Sequence, residues 1–210
     1  MEDWEGFDVG LWAVGEGEEG EGVGVKDYCV IIPTQLPELP DKVLESFAFG
    51  PLECAPLNRS MHFKVFERYL MLEFRTDATW IYTQDDDCNV DYKSVLAAYE
   101  PGVVTCNMPL HRRAEYTDGT ALVGWGAIFD RNLTSVFNLY LRHFPIDDLF
   151  LTECDRVFTG LNKVKMIDVP FVNLENAEGA DRLHKRPDHW EKLREIRERI
   201  KHVKQKEGMA

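Results

Sequence analysis

The sequence predicts an α/β protein whose mostly parallel central sheet is covered by helices on both faces. From Tyr28 to Pro170, short apolar runs alternate with stretches of helical periodicity. This alternation is typical of βαβ units, in which the strands are buried on both faces and the crossover helices cover the sheet. No internal repeat and no second domain interrupts the pattern. We therefore predict one domain, over residues 27–206.

The predicted strands are short runs of apolar, often β-branched residues that end at Pro or at polar residues. They occupy residues 27–34, 80–83, 103–106 and 164–169. The first strand is ended by Pro33, and Thr34 offers a hydroxyl at its carboxyl end. In open α/β sheets, ligands bind at that edge.

The predicted helices show apolar residues at helical spacing or begin at a capping residue. They occupy residues 39–49, 60–75, 91–99, 132–144, 147–161 and 188–203. Ser60, Asp91 and Asp188 are the expected N-caps. Residues 51–59 are expected to be irregular.

Charge is strongly segregated along the 210-residue chain. The net charge is −13, which argues against general nucleic-acid binding. Residues 1–26 are rich in Gly and Glu, and we expect disorder there because the segment cannot bury enough apolar surface. Residues 182–206 carry a net charge of +6. That basic segment is either a solvated helix face or a surface that contacts a polyanion.

Neither a signal peptide nor a membrane span is expected. The N-terminus is acidic, and no apolar run approaches the length of a span. The five cysteines form no CxxC pair, so neither a zinc site nor a disulfide framework is predicted. We expect a cytoplasmic protein, or one in the host cytoplasm if a phage encodes it.

Three consecutive aspartates, Asp85 to Asp87, directly follow the strand over residues 80–83. Such charges repel one another, and a hard divalent cation offsets the repulsion while retaining substrate phosphates as ligands. Asp85 and Asp87 lie on the same side of an extended chain, where they can hold one Mg²⁺ or Mn²⁺. The alternative is an acidic, solvated loop that leads to Asp91 as a helix N-cap.

A second acidic run covers residues 147–155. In a helix, Asp148 and Asp155 share a face and Glu153 lies to one side of it. One hypothesis is that this run supplies a general base that deprotonates an acceptor hydroxyl. The alternative is that its acids complement the helix macrodipole, with Arg156 pairing locally.

Two further segments have candidate ligand contacts. Gly124 and Gly126 flank Trp125, whose ring offers a stacking face, although a core tryptophan in a bulged strand has the same pattern. Nearer the C-terminus, His184 can contact a metal or phosphate, and the adjacent Lys185-Arg186 pair can neutralise a diphosphate. An ordinary basic approach to the last helix is the alternative. Motifs of P-loop, dinucleotide-binding and nucleophile-elbow proteins are absent from the sequence.

The order of these motifs resembles the GT-A-fold glycosyltransferases, most closely glycosyltransferase family 2, over roughly residues 28–203. The most specific match is the Arg68-Tyr69 pair, followed by the strand that leads into Asp85–Asp87. The sequence Thr152-Glu153-Cys154-Asp155 looks like a variant of the acidic motif that supplies the base. The resemblance implies a single GT-A-like, Rossmann-like catalytic domain.

The resemblance also implies a role for each motif residue. The donor, expected to be a UDP-sugar, would be bound by Pro33, Thr34, Arg68, Gln84, Asp85, Asp86, Lys185 and Arg186. Mn²⁺ or Mg²⁺ would be held by Asp85, Asp87 and His184. The base would be Glu153 or Asp155, with Asp148 as the third choice. The acceptor would be bound by His111, Arg112, Trp125 and Gly126.

The function implied is a metal-dependent, inverting transfer of a sugar to the hydroxyl of a glycan or of a hydroxymethylated DNA base. A nucleotidyltransferase or phosphohydrolase that uses the same aspartates is the main alternative. Release of a nucleoside diphosphate would indicate sugar transfer, whereas monophosphate or pyrophosphate would indicate the alternative. A third class is a non-catalytic nucleotide-sugar-binding module, for which loss of the Asp87 carboxylate would leave ligand affinity unchanged.

Overall fold

The computed structural model describes residues 28–34, 55–58, 64–66, 68–70, 79–114, 116, 118–173 and 187–209. The acidic segment over residues 1–26 and the predicted helix over residues 39–49 lie outside these ranges. So do three predicted site residues, His184, Lys185 and Arg186.

Eight strands and five α-helices have their bounds inside the described ranges, and residues 68–70 are also helical. The strands are β1 Tyr28–Thr34, β2 Ala55–Asn58, β3 Trp80–Thr83, β4 Cys88–Val90, β5 Val104–Asn107, β6 Ala127–Asp130, β7 Val164–Ile167 and β8 Phe171–Asn173. The helices are α1 Tyr92–Ala97, α2 Leu110–Arg113, α3 Val136–Leu141, α4 Asp148–Leu161 and α5 His189–Glu207. Residues Lys64–Phe66 and Arg131–Ser135 form 3-10 helices.

Six strands form one mixed sheet in the order β2-β1-β3-β6-β5-β7. The β1–β2, β1–β3 and β5–β7 pairings are parallel. Strand β6 lies between β3 and β5 and runs antiparallel to both. The predicted mostly parallel sheet is therefore confirmed only in part, because hydrophobic periodicity marks buried strands but carries no information about their direction.

Helices cover both faces of this sheet, as predicted. Side chains alternate between the faces along each strand. Ile81 and Phe129 belong to a core cluster with residues of α3, α4 and α5, while their neighbours Tyr82 and Ile128 pack in a second cluster with Val95 of α1. The larger of the two cores thus places α4 and α5 against the face that Ile81 occupies.

Several elements differ from their predicted extents. Strands β2, β4, β6 and β8 were not among the predicted strands, and β4 pairs with β8 in a separate two-stranded sheet. The last helix runs to Glu207 and ends at Gly208, which has a left-handed φ of 65°. Asp91 caps α1 as predicted, since its side chain accepts hydrogen bonds from the Ser94 backbone N–H and hydroxyl.

Cys88, Cys106 and Cys154 are buried free thiols. In the part of the chain that the structure covers, no helix is long and apolar enough to cross a membrane.

Candidate functional site

The candidate site lies where β3 ends and the three aspartates begin. Gln84 follows the strand and is completely buried. Its side-chain oxygen accepts a hydrogen bond from the Tyr82 hydroxyl at 2.8 Å, and its side-chain nitrogen donates to the Cys88 carbonyl at 2.9 Å. Gln84, predicted to contact the donor, thereby ties the two ends of the Asp85–Asp87 turn together.

A buried arginine joins the first aspartate of this turn to helix α4. Arg68 is 3% exposed, and its Nη2 donates to Asp85 Oδ1 at 2.7 Å. Its Nε lies 3.6 Å from Asp155 Oδ1, which also accepts a hydrogen bond from the Tyr69 hydroxyl at 2.8 Å. The Arg68-Tyr69 pair therefore connects the two acidic motifs, which are far apart in sequence.

The charges around Arg68 favour an ionised, fixed guanidinium. Burial would lower the pKa of Arg68, but the negative charges of Asp155 and Asp85 raise it above its usual value. Its Nε and Nη1 make no hydrogen bond to the residues described here. The Asp85 and Asp155 side chains are 31% and 22% exposed, so both carboxylates are partly accessible to water while the guanidinium between them is buried.

Glu153 lies at a kink in α4. Its φ of −112° and ψ of 19° interrupt the helical conformation and fall near the bridge region, where many active-site residues are found. The side chain is 8% exposed, and its Oε2 pairs with Arg156 Nε at 3.2 Å. Burial raises the pKa of Glu153, and the charge of Arg156 opposes this effect only in part. The result is a carboxylate that accepts a proton more readily than an exposed glutamate.

Arg156 is held by partners other than Glu153. Its Nη1 donates to Thr120 Oγ1 at 3.3 Å, and its guanidinium lies 4.8 Å from the centre of the Tyr116 ring. Thr120 itself is 1% exposed, and its hydroxyl donates to Asp118 Oδ1 at 2.6 Å. The loop before β6 therefore fixes the cation that faces Glu153.

The same loop passes directly beside Asp85. The Asp85 backbone N–H donates to the Gly124 carbonyl at 2.7 Å. A Cβ added at Gly124 would overlap the Asp85 carboxylate. Gly126 has a φ of 95°, which favours glycine, and lies against the Tyr82 hydroxyl. Both glycines allow the loop to approach the acidic turn closely.

Replacing Gly124 by Ala is expected to displace the Asp85 carboxylate from Arg68, because the added methyl group would occupy its place. Under the function proposed below, affinity for a nucleotide sugar, measured by titration, should fall about tenfold, which corresponds to the loss of one charge-assisted hydrogen bond. Gly119→Ala is the control, because its added Cβ meets nothing and its φ of 81° imposes only backbone strain. Equal donor affinities in the two variants would contradict this role of Gly124.

The aromatic side chain of the loop is partly engaged within the protein. The Trp125 ring stacks on Phe171, with centroids 4.7 Å apart and an angle of 27° between the planes. The Arg112 guanidinium lies 5.4 Å from the centre of the Trp125 ring. Two predicted acceptor-binding residues, Trp125 and Arg112, are thus in contact, while His111 is exposed on α2.

The remaining predicted residues have various positions. Asp148 is 60% exposed and pairs with Lys192 of α5 at 2.9 Å, whereas Asp155 of the same helix pairs with Arg68. Pro33 and Thr34 lie at the carboxyl end of β1, where Thr34 is in register with Asn58. Asp86 and Asp87 are partly buried in the turn after β3.

Within the ranges that the structure describes, no three His, Cys, Asp or Glu side chains converge to hold a metal.

The contacts of Thr120 and the close approach of Gly124 to Asp85 were not predicted from the sequence. Both residues lie in an irregular loop, where no periodicity predicts which side chains meet. The only available signal was the Gly-Trp-Gly pattern, which indicates that a backbone approaches something closely but not what it approaches.

No protein-family model and no curated protein matches the chain. Among solved structures, a glycosyltransferase involved in the glycosylation of the major capsid of PBCV-1 aligns with a TM-score of 0.43 and 11% identity, over 85% of this chain and 99% of that chain. The inositol-1-phosphate CTP transferase from T. maritima aligns with a TM-score of 0.38 and 10% identity, over 85% of this chain and 77% of that chain. Both are transferases, and at such low scores neither alignment establishes a common fold.

Proposed function

We propose that the protein is a metal-dependent glycosyltransferase that moves a sugar from a nucleotide-sugar donor to an acceptor hydroxyl. The observation that supports this most is the buried Arg68, which pairs with Asp85 at 2.7 Å and approaches Asp155 at 3.6 Å. A sugar transferase needs a donor-diphosphate site and a base close together. The acidic turn is suited to bind the donor diphosphate, and Glu153 is suited to act as the base. Arg68 links that turn with the helix that carries Glu153.

The acidic turn is the proposed donor side. Asp85, Asp86 and Asp87 carry three negative charges, and Arg68 offsets one of them. The surplus favours a divalent cation, and Asp87 with Asp85 would hold Mn²⁺ or Mg²⁺ if the donor diphosphate supplied further oxygen ligands. When bound, the cation would offset the charge on the departing diphosphate. The proposed contributions of Lys185, Arg186 and His184 concern residues outside the described ranges.

Glu153 is the proposed general base. Asp155 is already committed to Arg68 and Tyr69, so its carboxylate is better suited to positioning Arg68. Glu153 is buried and has a raised pKa, properties that suit proton transfer at neutral pH. It would accept the proton of the attacking hydroxyl, while Arg156 offsets its charge before transfer. Transfer with inversion follows if this hydroxyl attacks the face opposite the leaving diphosphate.

Asp87→Asn tests the donor site. Release of nucleoside diphosphate from UDP-sugars in Mn²⁺ is expected to fall on the order of 100-fold, because the amide is a poorer cation ligand than the carboxylate. Asp168→Asn removes an exposed charge elsewhere and is the matched control. The Mn²⁺-dependent rise in melting temperature with nucleotide sugar should disappear in Asp87→Asn alone.

The nature of the released product separates the competing functions. Nucleoside diphosphate supports sugar transfer, whereas nucleoside monophosphate or pyrophosphate would replace the proposal with phosphohydrolase or nucleotidyltransferase activity. Nucleotide-sugar binding without any product, unaffected by Asp87→Asn, would indicate a non-catalytic binding module. The proposed acceptors are a glycan and a hydroxymethylated DNA base, and each can be supplied in turn in the same assay.

A further inference from the structure

A cavity of about 480 Å³ lies between the loop before β6 and one face of α5. Its lining includes Thr120 of the loop, Trp190 at the start of the helix, and the four cationic side chains Arg194, Arg197, Lys201 and Lys204. The proposed donor site and base do not use any of the five helix residues. We refer to these six residues and the space between them as the α5 groove.

The helix places its aromatic and cationic groups in one line. Trp190, Arg194, Arg197, Lys201 and Lys204 recur at steps of three or four residues and therefore share a face. Another face, with Leu193, Ile196, Ile200 and Val203, is buried in the core. From Arg194 to Lys204 the helix rises about 15 Å, a length that spans more than one phosphate of a nucleic-acid strand.

The groove keeps a positive surplus after its own ion pairs are counted. Two acids also line it: Asp118 pairs with Arg197, and Glu198 pairs with Lys201. Arg194 and Lys204 form no ion pair with any residue that the structure describes. As far as the described residues go, two cations thus remain available to a ligand, on a protein whose net charge is −13.

An exposed aromatic ring adjoins these cations. Trp190 is 70% exposed, and its described ring contact is the neighbouring His189, with centroids 5.3 Å apart. A flat apolar ring beside free cations in a concave surface matches the way proteins bind single-stranded nucleic acids. Bases stack on the ring, and cations follow the phosphates. A duplex fits less well, because its bases are already stacked on one another.

The groove also borders the proposed base. Thr120 lines the groove and accepts a hydrogen bond from Arg156, which pairs with Glu153. A strand that lies in the groove would therefore pass two side-chain contacts from Glu153. Thr120 and Arg156 thus connect the groove with the proposed base.

We propose that the α5 groove binds a single strand of nucleic acid, with a base on Trp190 and phosphates on Arg194 and Lys204. Binding of the nucleic-acid strand depends only on the α5 groove and not on the proposed function. Its role as acceptor binding rests on the proposed function, and it would select the nucleic-acid acceptor over the glycan.

The test is the binding of a short fluorescent single-stranded oligothymidylate to the full chain, measured by anisotropy at several salt concentrations. The Arg194→Ala/Lys204→Ala variant is expected to weaken binding and to reduce the slope of log K against log salt by about 1.4, or about 0.7 per lost phosphate contact. Trp190→Ala is expected to weaken binding roughly five- to 150-fold through lost stacking. The matched control, Lys93→Ala/Lys163→Ala, removes two exposed cations outside the groove and should bind as the parent does.

Several results would overturn the proposal. These are absence of binding at low salt, equal losses in the control, equal affinity for a duplex of mixed sequence, or tighter groove-dependent binding of a sulfated glycan than of the oligonucleotide. Nucleoside diphosphate release is measured in parallel, with a glycan and with a hydroxymethylated single strand supplied in turn to receive the sugar. A parent protein that binds the strand but releases no diphosphate would refute the proposed function. It would not contradict strand binding by the α5 groove. Diphosphate release without strand binding would refute strand binding by the α5 groove and leave the proposed function standing.

Discussion

Replacing Glu153 by Gln is expected to reduce the proposed sugar transfer by about 100- to 10,000-fold, the range typical for loss of a general base. Gln has almost the same shape and can still accept a hydrogen bond from Arg156, so the change removes the basic group and little else. The measurement is the initial rate of nucleoside diphosphate release with saturating acceptor. Binding of the nucleotide sugar should be unchanged, because the proposed donor contacts are in the turn after β3.

The pH dependence of kcat/KM in the parent protein should show that Glu153 is the general base. A base acts only when ionised, so kcat/KM should rise with pH as Glu153 loses its proton. Burial raises the pKa of Glu153 above its ordinary value of 4.5, so this rise should lie above that pH. The residual activity of Glu153→Gln should lack it. A rise that persists unchanged in the variant would assign the titrating group to another residue, with Asp155 the next candidate.

Glu153→Gln should lower the activity but should not lower the stability in the same way. Because the folded-state pKa of Glu153 is raised, the folded protein binds this proton more tightly than the unfolded chain does. Ionisation therefore lowers the free energy of unfolding of the parent as the pH rises through the folded-state pKa. Glu153→Gln lacks this loss, so the stability of the variant relative to the parent should rise with pH between the ordinary pKa and the raised folded-state pKa and stay level outside that window. Urea unfolding at several pH values measures it.

The matched control for both effects is Glu100→Gln. Glu100 is 51% exposed and pairs with Lys165 at 3.4 Å, so it undergoes the same chemical change without burial. Its rate and its pH profile should match those of the parent, and its stability should change by less than about 1 kcal/mol. Loss of activity in this variant would show that removal of a negative charge from the protein, rather than the removal of Glu153, affects the rate.

The elements that could be predicted from the sequence are those whose local pattern is sufficient. Trp80–Thr83 is a strand because a short apolar run ends at charged residues, and Asp91 caps α1 because its carboxylate reaches the Ser94 N–H. The direction of β6 could not be predicted in this way. Its buried run would be equally compatible with a parallel neighbour, and only the chain path between β5 and β6 decides.

The site shows the same division between local and long-range information. The acidic residues Asp85 and Glu153 were found as motifs, because unusual charge next to an apolar element is visible in one stretch of sequence. Their connection through Arg68 depends on contacts between segments that are distant along the chain. The kink at Glu153 was also not predictable, since residues 148–161 have a helical pattern throughout.

Replacing Arg68 by Met is expected to give the largest loss of stability of any single change at the site. Met fills much of the same volume but leaves Asp85 and Asp155 without their shared cation. Removal of one partner from a buried ion pair costs about 3–5 kcal/mol. We expect about 3 kcal/mol, the lower end of that range, because water reaches the two carboxylates, which are 31% and 22% exposed. Urea unfolding measures the change, and donor affinity should fall with it.

A surface arginine provides the control for this substitution. Arg142 is 59% exposed and lies 3.5 Å from Glu207, so Arg142→Met removes an ion pair that water already screens. Its cost should stay below about 1 kcal/mol. If Arg68→Met were no more destabilising than this, the link between the two acidic motifs would contribute nothing to the fold.

The double variant Arg68→Met/Asp155→Asn separates the loss of the guanidinium from the charge it leaves behind. If unpaired charge is the main cost, removal of the Asp155 charge should restore part of the stability lost in Arg68→Met, although Asp155→Asn alone is destabilising. The coupling energy of this cycle should reach about 1–3 kcal/mol for groups in direct contact. Activity should not recover with stability, because neither change restores the hold of Arg68 on Asp85. Full recovery of donor binding in the double variant would mean that Arg68 supports only the fold and that the turn after β3 binds its ligand without it.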